Sequence, residues 1–484
     1  MSSLRDARLV VVGLGTSGRA ALDVLTTLGA TVLGLDRSEA AVAAAHEAVG
    51  ARARLRAVPD DDALADAVLA AGADVVVVSP GVPAVSPLLR RAAAAGLPCW
   101  SEVELAWQLQ QEILDEGAWP DWLTLTGTNG KTTTVGMLGA ILAAGGRRAA
   151  TVGNVGTPVV QVVADGGHDA LAVELSSFQL HLTHSVAPLA SACLNLAADH
   201  LDWHGSFEAY RDAKARVYER TRVACIYSTA DAATRAMVEQ ADVAEGARAV
   251  GTRIGPPGAG ELGIVEDVLC DRAFGPRRQT HAEPLAELSD LAHLAAVPGG
   301  EVPAHVLSNA LSAAALARAA GVPGAAVRDG LRDYRGGAHR IEVVAVRDGV
   351  TWVDDSKATN AHAAAASLGA LPPGRGVWVA GGLAKGARFD DLVRRVADRL
   401  HAVVLIGVDR GPLRDALARH APQIPLTEVT AGETGSVMDH AVTEAARLAR
   451  PGDTVLLAPA CASMDQFTSY GERGDAFAAA VRRL

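Results

Sequence analysis

Residues 126–134 read TGTNGKTTT. Glycines, a lysine and a run of hydroxyls are the groups that cradle a phosphate. Backbone N–H groups surround the anion, the lysine reaches its outer oxygens, and a hydroxyl binds Mg²⁺. The common cradle is spaced G-x-x-x-x-G-K-[ST]. Here Gly127 and Gly130 enclose only two residues, and Leu125 stands where the outer glycine would. The flanks decide the fold. The strand-like run WLTL (122–125) leads into the loop and the helical run VGMLGAILAAG (135–145) leads out. A loop between strand and helix, with the anion at the helix N-terminus, belongs to a parallel α/β sheet. On this reading Gly127, Thr128, Asn129, Gly130, Lys131, Thr132 and Thr133 form an ATP-phosphate loop, with Lys131 on the β- and γ-phosphates and Thr132 on the metal.

Outward from the loop, strand-like runs alternate with Ala/Leu-rich helical stretches, which predicts parallel α/β sheets throughout. The first segment carries LVVV (9–12), TVLGLD (31–36) and DVVVVSPG (74–81), then a helical connector at 101–114. The second carries WLTLTG (122–127), DALAVELS (169–176), SACLNL (191–196) and a helix over 207–221. The third opens with a helix over 308–321 and adds strands at 350–356, 376–382, 402–407 and 453–460. The stretch 252–263 is turn-rich and reads as peripheral, and VPGGEVPAH (297–305) reads as a boundary. The expected domains are 1–98, 99–303 and 304–484.

GLGTSG matches G-x-G-x-x-G through Gly13, Gly15 and Gly18, between a strand and a helix, and Asp36 ends the next strand. Such a turn brings backbone N–H groups up to a diphosphate. A nicotinamide dinucleotide and a nucleotide sugar both carry that group, so the motif leaves the ligand open.

A Mg²⁺–ATP site also needs acidic oxygens. Glu174 closes the run LAVE, where a strand end places it beside the loop. ADHLDWHG (198–205) follows another strand and offers Asp199, His200, Asp202 and His204. Singly these read as solvated loop residues; together, at a strand end, they read as the polar rim of an active site.

The 484 residues carry a net charge of −11 with no basic stripe, which gives no support to nucleic-acid binding. The five cysteines are scattered and odd in number, as expected for reduced thiols in a cytoplasmic protein. No run reaches the length of a membrane span, and the N-terminal apolar run is short and broken by glycine, so neither a membrane anchor nor a signal peptide is expected.

TGTNGKTTT, GNVG (153–156), VELSSFQL (173–180), LNLAADHLD (194–202), YRDAKARVY (210–218), AHRIE (338–342), DDSKATN (354–360) and PACASMDQF (459–467) resemble, in order and over nearly the whole chain, the Mur ligases of peptidoglycan synthesis. The last two, with GLGTSG, are most similar to the members that add D-glutamate. The resemblance implies three domains: a Rossmann-like N-terminal domain for a UDP-sugar, a central P-loop-type ATPase domain, and a Rossmann-like C-terminal domain for the amino acid and part of ATP. It implies an ATP-dependent amide ligase that joins D-glutamate to UDP-N-acetylmuramoyl-L-alanine, with Mg²⁺ at two sites, as a cytoplasmic monomer.

The same resemblance implies roles. Lys131, Glu174, His200 and Lys214 would be catalytic. Thr132, Glu174, His200 and a carbamylated Lys214 would serve the metals. Gly15, Thr16, Ser17, Asp36, Ser79, Asn154 and His200 would bind the UDP-sugar. Asn309, Arg340, Asp355 and Lys357 would join the loop on ATP. Thr359, Lys385, Ser463 and Tyr470 would hold D-glutamate, and Cys461 reads as structural. Read without the family, Lys214 is an exposed helix lysine. Two positions depart from the family pattern: Val306 replaces the first Asn of a His-Asn-x-x-Asn motif that keeps His305 and Asn309, and Tyr470 stands where Phe is common.

The implied chemistry is attack of the alanyl carboxylate on the γ-phosphate, then attack of the D-glutamate amine on the acyl phosphate. An acyl phosphate hydrolyses readily, so closure around it is expected. A nicotinamide-dependent oxidoreductase explains GLGTSG but not TGTNGKTTT or DDSKATN. An ATP-driven binding protein predicts phosphate release that ignores D-glutamate. Another Mur ligase or folylpolyglutamate synthase shares the loop, and the full N-terminal Rossmann-like segment argues against the folate enzyme.

Overall fold

The computed structural model describes residues 3–295, 300–429 and 434–484. The boundary expected at 297–305 begins outside them. The chain forms two compact units, residues 1–286 with 308–333, and residues 287–307 with 334–484. The first unit holds two sheets and the second holds one.

The first sheet contains β1 (Arg8–Val12), β2 (Thr31–Asp36), β3 (Arg54–Ala57), β4 (Val75–Val78) and β5 (Cys99–Trp100), in the order β3-β2-β1-β4-β5, all parallel. β4 is Val-Val-Val-Val and wholly buried, as a parallel strand covered on both faces must be. β3, RLRA, escaped the sequence reading because it is an edge strand with both arginines exposed. Strand order reverses between β1 and β4; residues 13–15 and the helix start at Thr16 and Ser17 follow β1, and Ser79 follows β4. Such a switch point opens a crevice for a ligand.

The central sheet contains β6 (Asp121–Thr126), β7 (Ala149–Gly153), β8 (Ala170–Glu174), β9 (Ala190–Cys193), β10 (Ala224–Ser228), β11 (Arg248–Thr252), β12 (Glu261–Val265), β13 (Val268–Asp271) and β14 (Glu283–Glu287). Its order is β14-β13-β12-β11-β10-β9-β6-β8-β7. β6 lies parallel between β8 and β9, so three strand ends meet at the nucleotide loop. Two expectations are corrected here. The sheet is not parallel throughout, because β12 and β13 form an antiparallel hairpin. The stretch 252–263 is not merely a peripheral turn, because it feeds β12 and extends the sheet. Arg318, on the helix Ala304–Ala319, ties this arm inward: its Nε donates to the buried Asp271 at 2.9 Å and its Nη2 to Glu283 at 2.7 Å. The helix expected over 207–221 is α-helical only over Phe207–Ala215 and then tightens to a 3₁₀ turn.

These two sheets share a continuous apolar core. Leu9, Val11, Leu22 and Val77 pack in one cluster with Trp107 of the connector helix Glu102–Ile113, Trp122, Val160 and Val173. The N-terminal domain is thereby fixed to the strands that carry the loop.

The second unit contains β15 (Glu342–Arg347), β16 (Val350–Asp354), β17 (Gly376–Gly381), β18 (Leu400–Ile406), β19 (Leu426–Glu428) and β20 (Thr454–Leu457), ordered β15-β16-β20-β17-β18-β19. Only the edge strand β15 runs antiparallel to its neighbour, with half-exposed Val343 and Val346 that weaken its signal. Among the described residues no helix is long and apolar enough to cross a membrane.

Candidate active site

The nucleotide loop is shaped by its glycines and stitched to the next strand. Gly130 caps the helix Lys131–Ala144 with φ 82°, and a Cβ there would lie 2.4 Å from Asn309 Oδ1. Glycine is therefore required twice over, by backbone and by space. The same contact brings Asn309, 5% exposed, against the loop. Asn195, two residues past the end of β9, accepts from Asn129 N at 2.9 Å and returns Nδ2 to Asn129 O at 3.0 Å. Thr128 Oγ1 meets the Tyr210 hydroxyl at 3.0 Å and accepts from Ala197 N. The sequence reading missed Asn195 and Tyr210 as loop supports, although they lie within LNLAADHLD (194–202) and YRDAKARVY (210–218).

Two lysines converge on the loop. Lys131 Nζ donates to Gly127 O at 2.8 Å and to Thr128 O at 3.0 Å. Lys214 Nζ donates to the same Gly127 O at 2.8 Å and to Thr126 Oγ1 at 3.2 Å. Lys214 is not exposed: 2% of it reaches solvent, and Nζ lies 4.9 Å from the Tyr210 ring centroid. Burial first, and the Lys131 charge second, bring its amine down to about 7.

Glu174 ends β8 opposite Leu125 of β6 and is 1% exposed. Its Oε1 accepts from Asn154 Nδ2 at 2.9 Å, while its Oε2 is buried and has no hydrogen-bond partner among the described residues. An orphaned carboxylate oxygen costs free energy unless a cation or donor meets it. With the half-buried Thr132 hydroxyl it supplies the oxygen donors a hard divalent ion takes, so the residues fit Mg²⁺. A cation beside two ammonium groups is unfavourable, and conversion of the Lys214 amine to a carbamate reverses one of those charges.

His200 follows β9 with φ 51° and stands exposed, its ring edge-on to Phe178 at 4.9 Å. Asp199 Oδ1 accepts from His200 N. His204 is buried, with Nε2 2.9 Å from Ser177 Oγ. The Asp202 side chain lies outside those described.

In the first sheet, Gly13 has φ 84° and a Cβ there would sit 2.5 Å from Ser79 Cβ, so the fingerprint loop and Ser79 touch. Gly15 caps the helix Thr16–Leu28; Thr16 is exposed and Ser17 half-buried in its first turn. Asp36 accepts from Leu14 N at 2.6 Å and Ser38 N at 2.8 Å, which clamps the glycine turn.

In the second unit, the loops after β16, β17 and β20 lie on neighbouring strand ends. Leu383 and Ala462 pair as a bridge that joins the Lys385 loop to the Ser463 loop. Lys385 is exposed with φ 50°, Ser463 is buried, and Thr359 is half-buried. Lys357 Nζ lies 3.8 Å from the Tyr470 ring centroid. Asp355 is buried beside Arg340; burial raises its carboxyl to about 7 against the opposing Ser367 hydrogen bond and Arg340 charge. Arg473, which the sequence reading passed over, is 1% exposed. It donates to Ser356 Oγ and O, each at 2.9 Å, and to Cys461 O at 3.1 Å, binding two of these loops together. Cys461 is buried, and burial pushes its thiol up to about 12. All five cysteines are free.

Three doubly wound sheets and a shortened lysine loop define a class. Residues 7–101 match the "Mur ligase MurD-like, N-terminal domain", 125–252 the "Mur ligase middle domain" and 339–461 the "Mur ligase, glutamate ligase domain". The chain belongs to the Mur ligase family, as a relative of its D-glutamate-adding members. It is 52% identical over 490 residues to the UDP-N-acetylmuramoylalanine--D-glutamate ligase of Streptomyces avermitilis, covering 100% of both chains. It is 52% identical to the ligase of that name from Streptomyces coelicolor, covering 100% of this chain and 99% of the relative. Its fold is also that of a UDP-N-acetylmuramate-alanine ligase from Thermotoga maritima, at a TM-score of 0.54 and 17% identity over 99% of each chain.

Proposed function

We propose that this chain is an ATP-dependent ligase that joins D-glutamate to UDP-N-acetylmuramoyl-L-alanine in the cytoplasm. End-to-end 52% identity to two ligases of that name carries the reading. The loop supports ATP as the phosphoryl donor. Lys131, at the N-terminus of its helix, offsets charge developing on the transferred group, and Thr128 to Thr133 present backbone and hydroxyl donors. Mg²⁺, at two sites, would be held by Thr132, Glu174, His200 and Lys214 as its carbamate, and would supply charge neutralisation at the phosphates. Gly15, Thr16, Ser17, Asp36 and Ser79 bind the uridine diphosphate, and Asn154 and His200 meet the sugar.

The alanyl carboxylate attacks the γ-phosphorus and ADP departs. The D-glutamate amine then attacks the acyl carbon, and phosphate leaves as the amide forms. Asn309, Arg340, Asp355 and Lys357 complete the ATP site. Thr359, Lys385, Ser463 and Tyr470 hold D-glutamate, with Lys385 pairing with a carboxylate. The roles divide among domains 1–98, 99–303 and 304–484, in a monomer.

Phosphate release with ATP and UDP-N-acetylmuramoyl-L-alanine, compared across D-glutamate, L-glutamate, L-alanine and meso-diaminopimelate, tests this. Release that requires D-glutamate is expected; release with none of them, or with diaminopimelate instead, overturns it.

A further inference from the structure

Phe178 stands on the short helix Ser177–His181, four residues past Glu174. Its ring is the hub of an aromatic group. It meets His200 edge-on at 4.9 Å, tilts against Trp203 at 4.7 Å, and stacks on His204 at 5.7 Å with planes 19° apart. The last three residues belong to one turn. His200 caps the helix Leu201–His204, and its carbonyl accepts from Trp203 N and His204 N, both at 3.1 Å. His204 in turn reaches Ser177 Oγ at 2.9 Å, next to Phe178 in the chain. His200 itself is a non-glycine residue in the left-handed region, a conformation that persists only where the surroundings impose it. The Phe178 ring is part of those surroundings, together with Asp199, whose Oδ1 accepts from His200 N at 2.9 Å.

We propose that Phe178 is a positioning residue for cation binding: its ring holds the strained His200 turn so that the imidazole is aimed with Glu174 at one divalent ion. The proposal rests on the reading above that His200 and Glu174 serve the metal. Phe178 ligates nothing itself. Its ring adds to the contacts that restrain an exposed imidazole at the N-cap of a four-residue helix, so less order must be imposed when the ion arrives.

The test uses the full chain with ADP and Mn²⁺ as the probe ion, with free Mn²⁺ followed by its paramagnetic resonance signal, alongside D-glutamate-dependent phosphate release. Phe178→Leu is expected to weaken Mn²⁺ binding about three- to tenfold, the worth of one aromatic pair, while Phe178→Tyr stays within about twofold. In a His200→Ala background, Phe178→Leu is expected to weaken binding no further, because the two residues act as one unit. Thermal midpoints check that each variant folds. Should Phe178→Leu fail to fold, Phe178→Met, which fills the space without a ring, carries the same expectation. Wild-type Mn²⁺ affinity in the ringless variants, or a full additional loss in the double variant, overturns the proposal while leaving His200 in place. If His200→Ala alone leaves Mn²⁺ binding unchanged, the metal reading of His200 falls and the proposal falls with it.

Discussion

Lys131 and Lys214 donate to one carbonyl oxygen, that of Gly127, each at 2.8 Å. Two ammonium groups on one oxygen repel, and burial removes the water that would screen them. Burial first, and the Lys131 charge second, bring the Lys214 amine down to about 7. Only a neutral amine adds CO₂. Carbamate formation, and with it ligation at limiting CO₂, should therefore rise as pH passes upward through about 7. Lys214→Ala should lose activity and recover part of it with added acetate. Full activity in Lys214→Ala without acetate would remove the carbamate from the mechanism.

Lys131 has the other role. It begins the loop helix and carries the one cation that the loop sequence itself supplies. Lys131→Ala should lower kcat by roughly two to three orders of magnitude, the worth of one preorganised charge at a transition state. Steady-state phosphate release measures this, and turnover within tenfold of wild type would contradict the assignment.

Gly130→Ala adds one methyl where φ is 82° and Asn309 Oδ1 lies 2.4 Å away. The strain should cost about 1–3 kcal/mol, and the displaced Asn309 should raise the KM for ATP more than that for D-glutamate. Equal changes in both constants would argue against a local effect on the nucleotide.

Glu102 tests burial without touching the chemistry. It is 2% exposed, Val160 N donates to its Oε1 at 2.6 Å, and its Oε2 has no hydrogen-bond partner among the described residues. Burial raises its carboxyl from 4.5 to about 7. The folded state thus binds the proton more tightly than the unfolded state, and stability falls as pH rises from about 4.5 to about 7. Glu102→Gln should abolish that fall and gain about 3 kcal/mol at neutral pH relative to the charged parent. Denaturant midpoints at pH 5 and pH 8 read the difference directly, and an unchanged pH slope in Glu102→Gln would refute the cause.

Arg473 grips Ser356 and Cys461 with three hydrogen bonds. Lysine keeps the charge but lacks the planar fork. Arg473→Lys should destabilise the protein by about 2–4 kcal/mol and raise the KM for D-glutamate, since Ser463 lies on one tethered loop. A variant with wild-type melting and wild-type KM would show that the tether is dispensable.

Sequence alone determined the parts whose local pattern is strong. TGTNGKTTT between a strand and a helix placed the loop, and LAVE placed Glu174 at its side, because both follow from strand and helix periodicity. Family resemblance added Lys214, which spacing alone reads as an exposed helix lysine. Tertiary structure decided what depends on contacts between distant segments. It buried Lys214 under Tyr210, left Glu174 Oε2 without a partner, set Asn195 and Asn309 against the loop, and used Arg473 to join two loops. It also turned the stretch after Thr252 into a hairpin arm anchored by Arg318, where sequence showed only glycine and proline turns. Periodicity reports which face of an element is apolar; it carries no record of which polar atoms, far apart in the chain, meet with water excluded, and that meeting sets the charges at this site.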